Sequence, residues 1–479
     1  ILKPYALAST GESAGRPRVN DGDVGLDVKY GVGSGLTWDT TINTDFAQVE
    51  ADEQQINLSR FSLFFPEKRD FFLENSGTFS FGVGSRGSQN SANLVPFFSR
   101  RIGLSTTGTP IPIVGGARVS GQLNRYDVGV LAMKTERLGS TAANSYMVGR
   151  VKRNLMPNSF VGAIVTDRES PVAGDYNRVY GPDLHLQLYD RIEIDSFVLR
   201  SDTPGKASKN LARSLTTAWR DDELTVAAEY NAVQSNFNPE VGFVRRGDMS
   251  QYSADASWNP QLKRSDAIRN LKFSHGFDYF TNAATGRLET RTHEAITGVQ
   301  FENNGSVNFT VNETFDRLNT PFAIRSNLSI PIGDYTYRRY TASVNSGNNR
   351  RYGVSGNVNW GEFWNGDNTG YTAAVGMRPN YHINLDLSYS RNEVTLPNGS
   401  FTTGLIGARF LYGFSPRAFF NAFLQYNADT HQVSQNLRFN FTHHPLSDLY
   451  VVYNDRRDTV TGQLLERAVI LKLTNLFNF

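Results

Sequence analysis

The 479-residue chain has no cysteine, only five methionines and five tryptophans, and no long apolar run. The lack of cysteine excludes disulfide bonds and cysteine-ligated metals. Because no stretch approaches the ~18 apolar residues of a membrane-spanning helix, a helical membrane protein is also excluded. Basic and acidic residues nearly balance (48 against 46) and form no basic block, so no nucleic-acid surface is expected.

What the sequence has in abundance is glycine (42), phenylalanine (32) and tyrosine (21), arranged with a period of two. Near the C-terminus, for example, Leu437, Phe439 and Phe441 alternate with Arg438 and Asn440. Such alternation predicts strands with one apolar and one polar face. A soluble sandwich would turn the apolar faces inward, whereas a membrane barrel turns them toward lipid around an aqueous lumen.

Strand length and the connections between strands favour the barrel. Alternating runs of about 10–14 residues match a tilted bilayer-spanning strand better than a soluble strand of about five or six residues. Tight links alternate with longer ones, as in outer-membrane barrels. Tight links are predicted at 33–34, 125–126, 157–158, 190–191, 221–222, 378–379, 415–416 and 445–446. Longer links are predicted at 201–208, 235–250, 281–287, 362–370, 391–400 and 456–463.

The predicted fold class is therefore all-β, a transmembrane antiparallel outer-membrane β-barrel formed by residues 1–479 as a single domain. Strict alternation of the links gives about 24 strands, within a range of about 22–26. This count requires 318–333 to be one long outer loop. It also places both termini on the same, periplasmic side.

One segment departs from this rhythm. Residues 45–110, 66 in number, separate a strand ending near Thr44 from the next full strand near Ile111. In them, pairs of phenylalanine flank dense charge, at 64–75 (FFPEKRDFFLEN) and 96–101 (PFFSRR). Exposed Phe clusters are unfavourable in water, and a wide barrel has room for an insert. We expect a plug or constriction inside the lumen; a folded outer cap is the alternative.

The same stretches, together with 4–7 (PYAL) and 98–103 (FSRRIG), resemble an envelope-protein family of Gram-negative bacteria whose function is unassigned. In that family, a domain similar to family 9 carbohydrate-binding modules precedes a C-terminal outer-membrane barrel. The resemblance implies this barrel for essentially the whole chain, with the carbohydrate-binding-like domain ahead of Ile1. Asp70 stands where the family usually has proline, so contacts at that bend are expected to differ.

Two functions follow from these expectations. The preferred one is an outer-membrane channel or transporter for a polar solute, carbohydrate-related if the resemblance holds, with selectivity set by the insert. The alternative is a sealed barrel that anchors or scaffolds a partner complex or a carbohydrate-binding domain. The candidate lumen and plug residues are Glu50, Asp52, Arg60, Phe64, Phe65, Glu67, Lys68, Arg69, Phe71, Phe72, Arg100 and Arg101.

Asp45, Glu50 and Asp52 form the best carboxylate cluster for glycosidase chemistry or Ca²⁺ binding, but salt bridges to nearby arginines explain them more simply. No enzyme activity, metal or cofactor is expected. Phe477 and the terminal Phe479 lie on one face of the last strand, which is similar to the signal read by the bacterial barrel-assembly machinery. The expected location is the bacterial outer membrane, with lipid, that machinery and envelope proteins as partners.

Overall fold

The computed structural model describes residues 1–44, 53–82, 94–105, 108–347 and 351–479. Within these ranges, 24 strands form one antiparallel sheet that closes on itself, because β1 pairs with both β2 and β28. The predicted fold class and strand number are confirmed. The barrel strands are β1 (Leu2–Ser13), β2 (Val19–Val32), β3 (Leu36–Ile42), β5 (Ile113–Leu123), β6 (Tyr126–Thr135), β7 (Ser145–Met156), β8 (Ser159–Glu169), β9 (Tyr176–Leu188), β10 (Ile192–Asp202), β11 (Leu211–Arg220), β12 (Leu224–Val233), β14 (Met249–Trp258), β15 (Ile268–Asn282), β16 (Leu288–Phe301), β17 (Ser306–Leu318), β20 (Gly333–Asn345), β21 (Tyr352–Phe363), β22 (Gly366–Asn380), β23 (Ile383–Leu396), β24 (Gly399–Ser415), β25 (Ala418–Asn427), β26 (Gln432–His444), β27 (Ser447–Asp458) and β28 (Leu464–Thr474).

Four short strands lie outside the barrel. The strand β4 (Leu94–Val95) pairs with β13 (Phe243–Val244), and β18 (Phe322–Arg325) forms a hairpin with β19 (Leu328–Ile330). Helical structure in the described ranges consists of α1 (Asp70–Leu73) and two 3₁₀ turns, Ser76–Phe79 and Ser99–Arg101. Of these, none is long and apolar enough to cross a membrane.

The two faces of the barrel wall differ in polarity, as the period of two requires. On β2, Val24 and Tyr30 are 69% and 64% exposed on the outer face, while Lys29 on the inner face approaches Asp39 of β3. Asp39 in turn is in register with Arg118 of β5. An apolar outer face around a polar lumen is the arrangement of a membrane-spanning barrel, because lipid solvates the outside. Other large exposed outward side chains are Trp38, Val130, Val165, Leu215, Val226, Val358, Ile406 and Leu471.

Most predicted links lie within a few residues of the observed ones, and the long loop predicted at 318–333 is found between the paired strands β17 and β20. Both termini lie at one end of the barrel, where Leu2 pairs with Phe477. Two predicted long links are wrong: 362–370 and 391–400 contain only two-residue turns, at 364–365 and 397–398. The reason is that the strands there continue past the membrane thickness, to 17 residues in β24. The turn predicted at 378–379 lies at 381–382 for the same reason.

Candidate functional site in the barrel lumen

The lumen contains the described part of residues 45–110, which we call the insert. Its side chains and backbone contact inward-facing residues of β2, β5, β7 and β9 on one side and of β16 and β17 on another. These two groups of strands lie on opposite sides of the ring of 24. The insert therefore extends across the lumen. Glu50 and Asp52, and Asp45 with them, lie outside the described residues.

Glu67 and Arg69 form the polar centre of the insert. Arg69 donates to both carboxylate oxygens of Glu67, at 2.8 and 2.6 Å, and the Ser99 hydroxyl donates to Glu67 at 2.7 Å. Burial acts to raise the pKa of Glu67, but the hydrogen bonds and charge of Arg69, helped by Ser99, outweigh it and lower that pKa. Arg69 also donates to the carbonyl of Ile102 at 2.7 Å. The pair thus joins the 66–73 segment to the 99–102 turn.

The predicted phenylalanines pack largely with one another and with arginine. The Phe64 ring stacks on Phe98 at 4.7 Å between centroids, and Phe71 meets Phe72 edge to face at 5.4 Å. Arg69 lies over Phe72 at 4.2 Å. Elsewhere in the insert, Arg100 lies over Phe65 and donates to the carbonyl of Pro66, Arg101 donates to the carbonyl of Gly242, and the Lys68 backbone N–H donates to Glu67.

Arg60 reaches the barrel wall. Its guanidinium pairs with Asp316 of β17 at 2.8 Å, and the Thr290 hydroxyl of β16 donates to the same carboxylate oxygen at 3.0 Å. A second arginine, Arg246 from the loop between β12 and β14, donates to Thr290 and lies over Phe61 of the insert. Arg60 and Arg246 therefore join the insert to strands β16 and β17 of the wall.

Two wall arginines that the sequence reasoning missed hold the other side. Arg118 is 2% exposed, pairs with Asp39 at 2.7 Å and donates to the carbonyls of Phe71 (2.6 Å) and Glu74. Arg150 makes two 2.6 Å bonds to Asp183 of β9 and donates to the Ser80 carbonyl at 3.0 Å. Both arginines occupy polar positions of a strand in which polar and apolar residues alternate. This alternation was the sequence signal that could have placed them on the lumen face.

The wall formed by β20–β27 is in contact with the start of the described insert. Arg409 of β24 pairs with Glu53 at 2.6 Å, and Asn427 of β25 donates to Gln54 at 3.0 Å. Between Glu53 and strands β21–β25 lies a cavity of about 360 Å³ that opens to the lumen. Polar side chains facing the lumen on this wall include Arg339, Asn357, Asn359, Asn384, Asp386, Ser388, Asn392, Asn421, Gln425, Asn436 and Arg438.

The β18–β19 hairpin lies at the end of this wall that is opposite the chain termini. It packs in a small apolar cluster with the ends of β17, β21 and β23, which contains Ile324, Ile330 and Trp364. Its Arg325 pairs with Asp429 in the turn between β25 and β26 at 3.0 Å and lies over the Phe401 ring at 4.5 Å. The hairpin thus extends from β17 and β20 toward β25 and β26.

Two further groups of described residues lie outside the insert. His185, Glu193 and Asp195 have donor atoms within 4.8 Å of one another, as metal ligands would. Hydrogen bonding explains them without a metal, because His185 bonds Asp195 at 2.7 Å and Arg220 pairs with Glu193. At the C-terminus, the Phe477 N–H donates to Leu2, and its ring stacks on Phe479, which is 93% exposed.

A family model described as a domain of unknown function, DUF5916, matches residues 1–114, the span that contains β1–β3 and the insert. The match agrees with the predicted resemblance to a family of unassigned function over that span. No curated protein matches the chain.

Among solved structures, the chain is similar to the siderophore receptor PirA from Pseudomonas aeruginosa, at 8% identity and a TM-score of 0.40, over 99% of this chain and 80% of that one. It is also similar to the ferric yersiniabactin uptake receptor FyuA from Yersinia pestis, at 9% identity and a TM-score of 0.42, with the same coverage. For OccAB2 from Acinetobacter baumannii the values are 10% and 0.34, over 100% and 98% of the chains.

Proposed function

We propose that this protein is a channel or transporter of the bacterial outer membrane that passes a polar solute through a lumen narrowed by the insert. The observation that carries the proposal is the closed barrel of 24 strands with an apolar outer face and a polar inner one. Barrels of this kind have lipid outside and, when wide, an aqueous interior. The proposal involves no catalytic step and no cofactor.

The dimensions support a passage beside the insert. Twenty-four strands spaced about 4.8 Å apart and tilted by about 40° enclose a circle about 48 Å across, measured between backbones. As a compact body, the 45 described residues of the insert would be about 24 Å across. Side chains from the wall reduce the difference, but the insert is still smaller than the space around it. The wall of β20–β27, with its cavity, is the place where we expect solute to pass.

Within this proposal, the insert residues divide into two roles. Phe64, Phe71 and Phe72 anchor the insert by packing, and Glu67 with Arg69 holds its two segments together. Arg60 anchors the insert to the wall through Asp316. We assign the contacts with solute to the charged side chains Lys68, Arg100 and Arg101, with Glu50, Asp52 and Phe65 as further candidates. Charges that project into a narrow passage set its selectivity.

The family resemblance adds two finer elements to the proposal. A carbohydrate-binding-like domain ahead of the barrel, as the resemblance implies, favours a carbohydrate-related solute. The aromatic end of the chain, Phe477 and Phe479, is proposed as the signal for the barrel-assembly machinery.

The test is conductance in planar bilayers, for the full chain and for a variant in which a short Gly/Ser linker replaces residues 45–103. Both proteins are first checked for the barrel's strand content by circular dichroism. We expect steady currents from the full chain and larger ones from the variant. Silence from the full chain with large currents from the variant would instead support the alternative, a sealed barrel that anchors or scaffolds a partner. Equal currents from both would refute the role of the insert as a constriction.

A further inference from the structure

We propose that the cavity between Glu53 and strands β21–β25 is a binding site for a neutral, polyhydroxylated solute of the saccharide class. This inference rests on the proposed function and names the class of solute that the same lumen passes. The cavity volume, about 360 Å³, lies in the range of about 300–1,000 Å³ typical of small-molecule sites.

The floor of the cavity is made of small residues on neighbouring strands. Gly376 of β22 is in register with Asp386 of β23, and Ser388 of β23 is in register with Gly407 of β24. A Cβ atom added at Gly376 would lie 3.1 Å from the Asp386 carboxylate, and one at Gly407 would lie 2.5 Å from the Ser388 hydroxyl. The Asp386 and Ser388 side chains therefore lie over positions where the neighbouring strands have no side chain. One face of a sugar ring can approach such a surface closely.

The charges around the floor balance. Arg378 and Arg409 contribute two positive charges, and Asp386 and Glu53 contribute two negative ones. Arg409 is already paired with Glu53 at 2.6 Å. An anion would gain from the guanidinium groups but would be repelled by the carboxylates, and the reverse holds for a cation. A solute that carries no charged group meets neither penalty.

The hydrogen-bonding groups of the cavity suit the hydroxyl groups of a sugar, and an aromatic side chain of the cavity suits the apolar face of the sugar ring. A hydroxyl both donates and accepts, and the cavity offers acceptors on Asp386, donors on Arg378, and a group that does both on Ser388. Phe423 of β25 adds an apolar surface, held in place by Arg409, which lies 4.7 Å from the ring centroid. Convergent polar groups beside an apolar face are what a small-molecule site requires.

The test measures saccharide binding to the full chain in detergent by titration calorimetry, with glucose, maltose and cellobiose as probes. Gluconate and glycine betaine are the anionic and zwitterionic comparisons. We expect at least one saccharide to bind and both comparisons to bind at least tenfold more weakly. The inference is overturned if glucose, maltose and cellobiose all fail to bind. It is also overturned if gluconate or betaine binds more tightly than they do.

Two variants and a control locate the site. Asp386→Ala removes the central acceptor, and Ser388→Leu fills the floor; each should weaken saccharide binding at least tenfold. Glu294→Ala removes an exposed carboxylate from the lumen face of β16, outside the cavity, and should leave binding unchanged. If Glu294→Ala weakens binding as much as Asp386→Ala, the cavity is not the site. Heat-modifiable migration in gels confirms that each variant is folded.

This experiment separates the inference from the proposed function. If the full chain conducts in bilayers but binds no saccharide, the channel stands and the assigned solute class is wrong. If saccharide binds at the cavity while neither the full chain nor the insert-deleted variant conducts, the channel proposal fails and the site remains. In a conducting protein, bound saccharide should also reduce the current, and Ser388→Leu should abolish that reduction.

Discussion

Replacing Arg150 by alanine is expected to destabilise the folded protein by about 3–5 kcal/mol, the cost of breaking a buried ion pair by removing one partner. The side chains of Arg150 and Asp183 are 0% and 1% exposed, and two hydrogen bonds of 2.6 Å join them. The same guanidinium also holds the Ser80 carbonyl of the insert. The variant should therefore loosen the 76–82 segment as well as the wall.

The magnitude follows from the charges and their burial. Two unit charges about 4 Å apart attract by about 4 kcal/mol at an effective dielectric constant of about 20. Without Arg150, the Asp183 carboxylate keeps the Gly82 N–H, at 3.3 Å, as a remaining donor. Replacing both partners by apolar residues, Arg150→Met with Asp183→Leu, should restore most of the lost stability, because no uncompensated charge is then buried.

The assay is urea unfolding of the barrel refolded into phospholipid vesicles, followed by tryptophan fluorescence. The matched control is Arg178→Ala, which breaks the exposed pair between Arg178 and Glu169 (side chains 42% and 59% exposed) on the neighbouring strands β8 and β9. Its unfolding midpoint should not change measurably, because exposed pairs contribute little. The reasoning fails if Arg150→Ala shifts the midpoint no further than Arg178→Ala does.

Two further predictions concern the insert and the outer hairpin. Since the pKa of Glu67 is lowered from 4.5 in the folded state, its pairing with Arg69 stabilises the insert above that value, and this stability is lost as the pH falls through the folded pKa. Hydrogen exchange at 64–75, corrected for intrinsic rates, should accelerate at low pH, and Glu67→Gln should remove this dependence. Arg325→Ala should accelerate exchange at 319–332, because it removes the ion pair to Asp429; unchanged exchange would show that apolar packing alone holds the hairpin.

Much of the barrel could be predicted from the sequence because its signals are local. A strand that faces lipid on one side and water on the other must alternate, and each tight turn must interrupt that alternation. The turns at 157–158 and 445–446 are read directly in this way. The errors at 362–370 and 391–400 arose because strands extend beyond the bilayer there, and the polar residues of an extended hairpin resemble those of a loop.

The partners of the insert could not be predicted, because they are distant in sequence and set by the closure of the barrel. Arg60 pairs with Asp316, 256 positions away, and Gln54 bonds with Asn427, 373 positions away. The insert has little regular structure, so no periodicity relates one of its faces to the wall. The sequence identified Arg60 as a polar contributor, but it offered no means of choosing between carboxylates inside and outside the insert.

The density of arginine around the insert has a physical explanation in the backbone. A buried segment with few helical turns and little pairing leaves carbonyl groups that need donors. Arginine has five donors, and a carboxylate uses only two of them. Arg69, Arg100, Arg118 and Arg150 accordingly bind carbonyls at Ile102, Pro66, Phe71 and Ser80. Arg69, Arg118 and Arg150 bind a carboxylate as well.

The charged residues of the insert are therefore not all available to a solute. Within the stretch 64–75, Glu67 and Arg69 form their hydrogen bonds inside the protein, and both side chains are only 10% exposed. The wall arginines 118 and 150 are more deeply buried still. Under the proposed function, selectivity is therefore assigned to charges that the insert leaves accessible. The half-exposed pair of Glu53 and Arg409, at the edge of the cavity on β21–β25, is where the insert and the open wall meet.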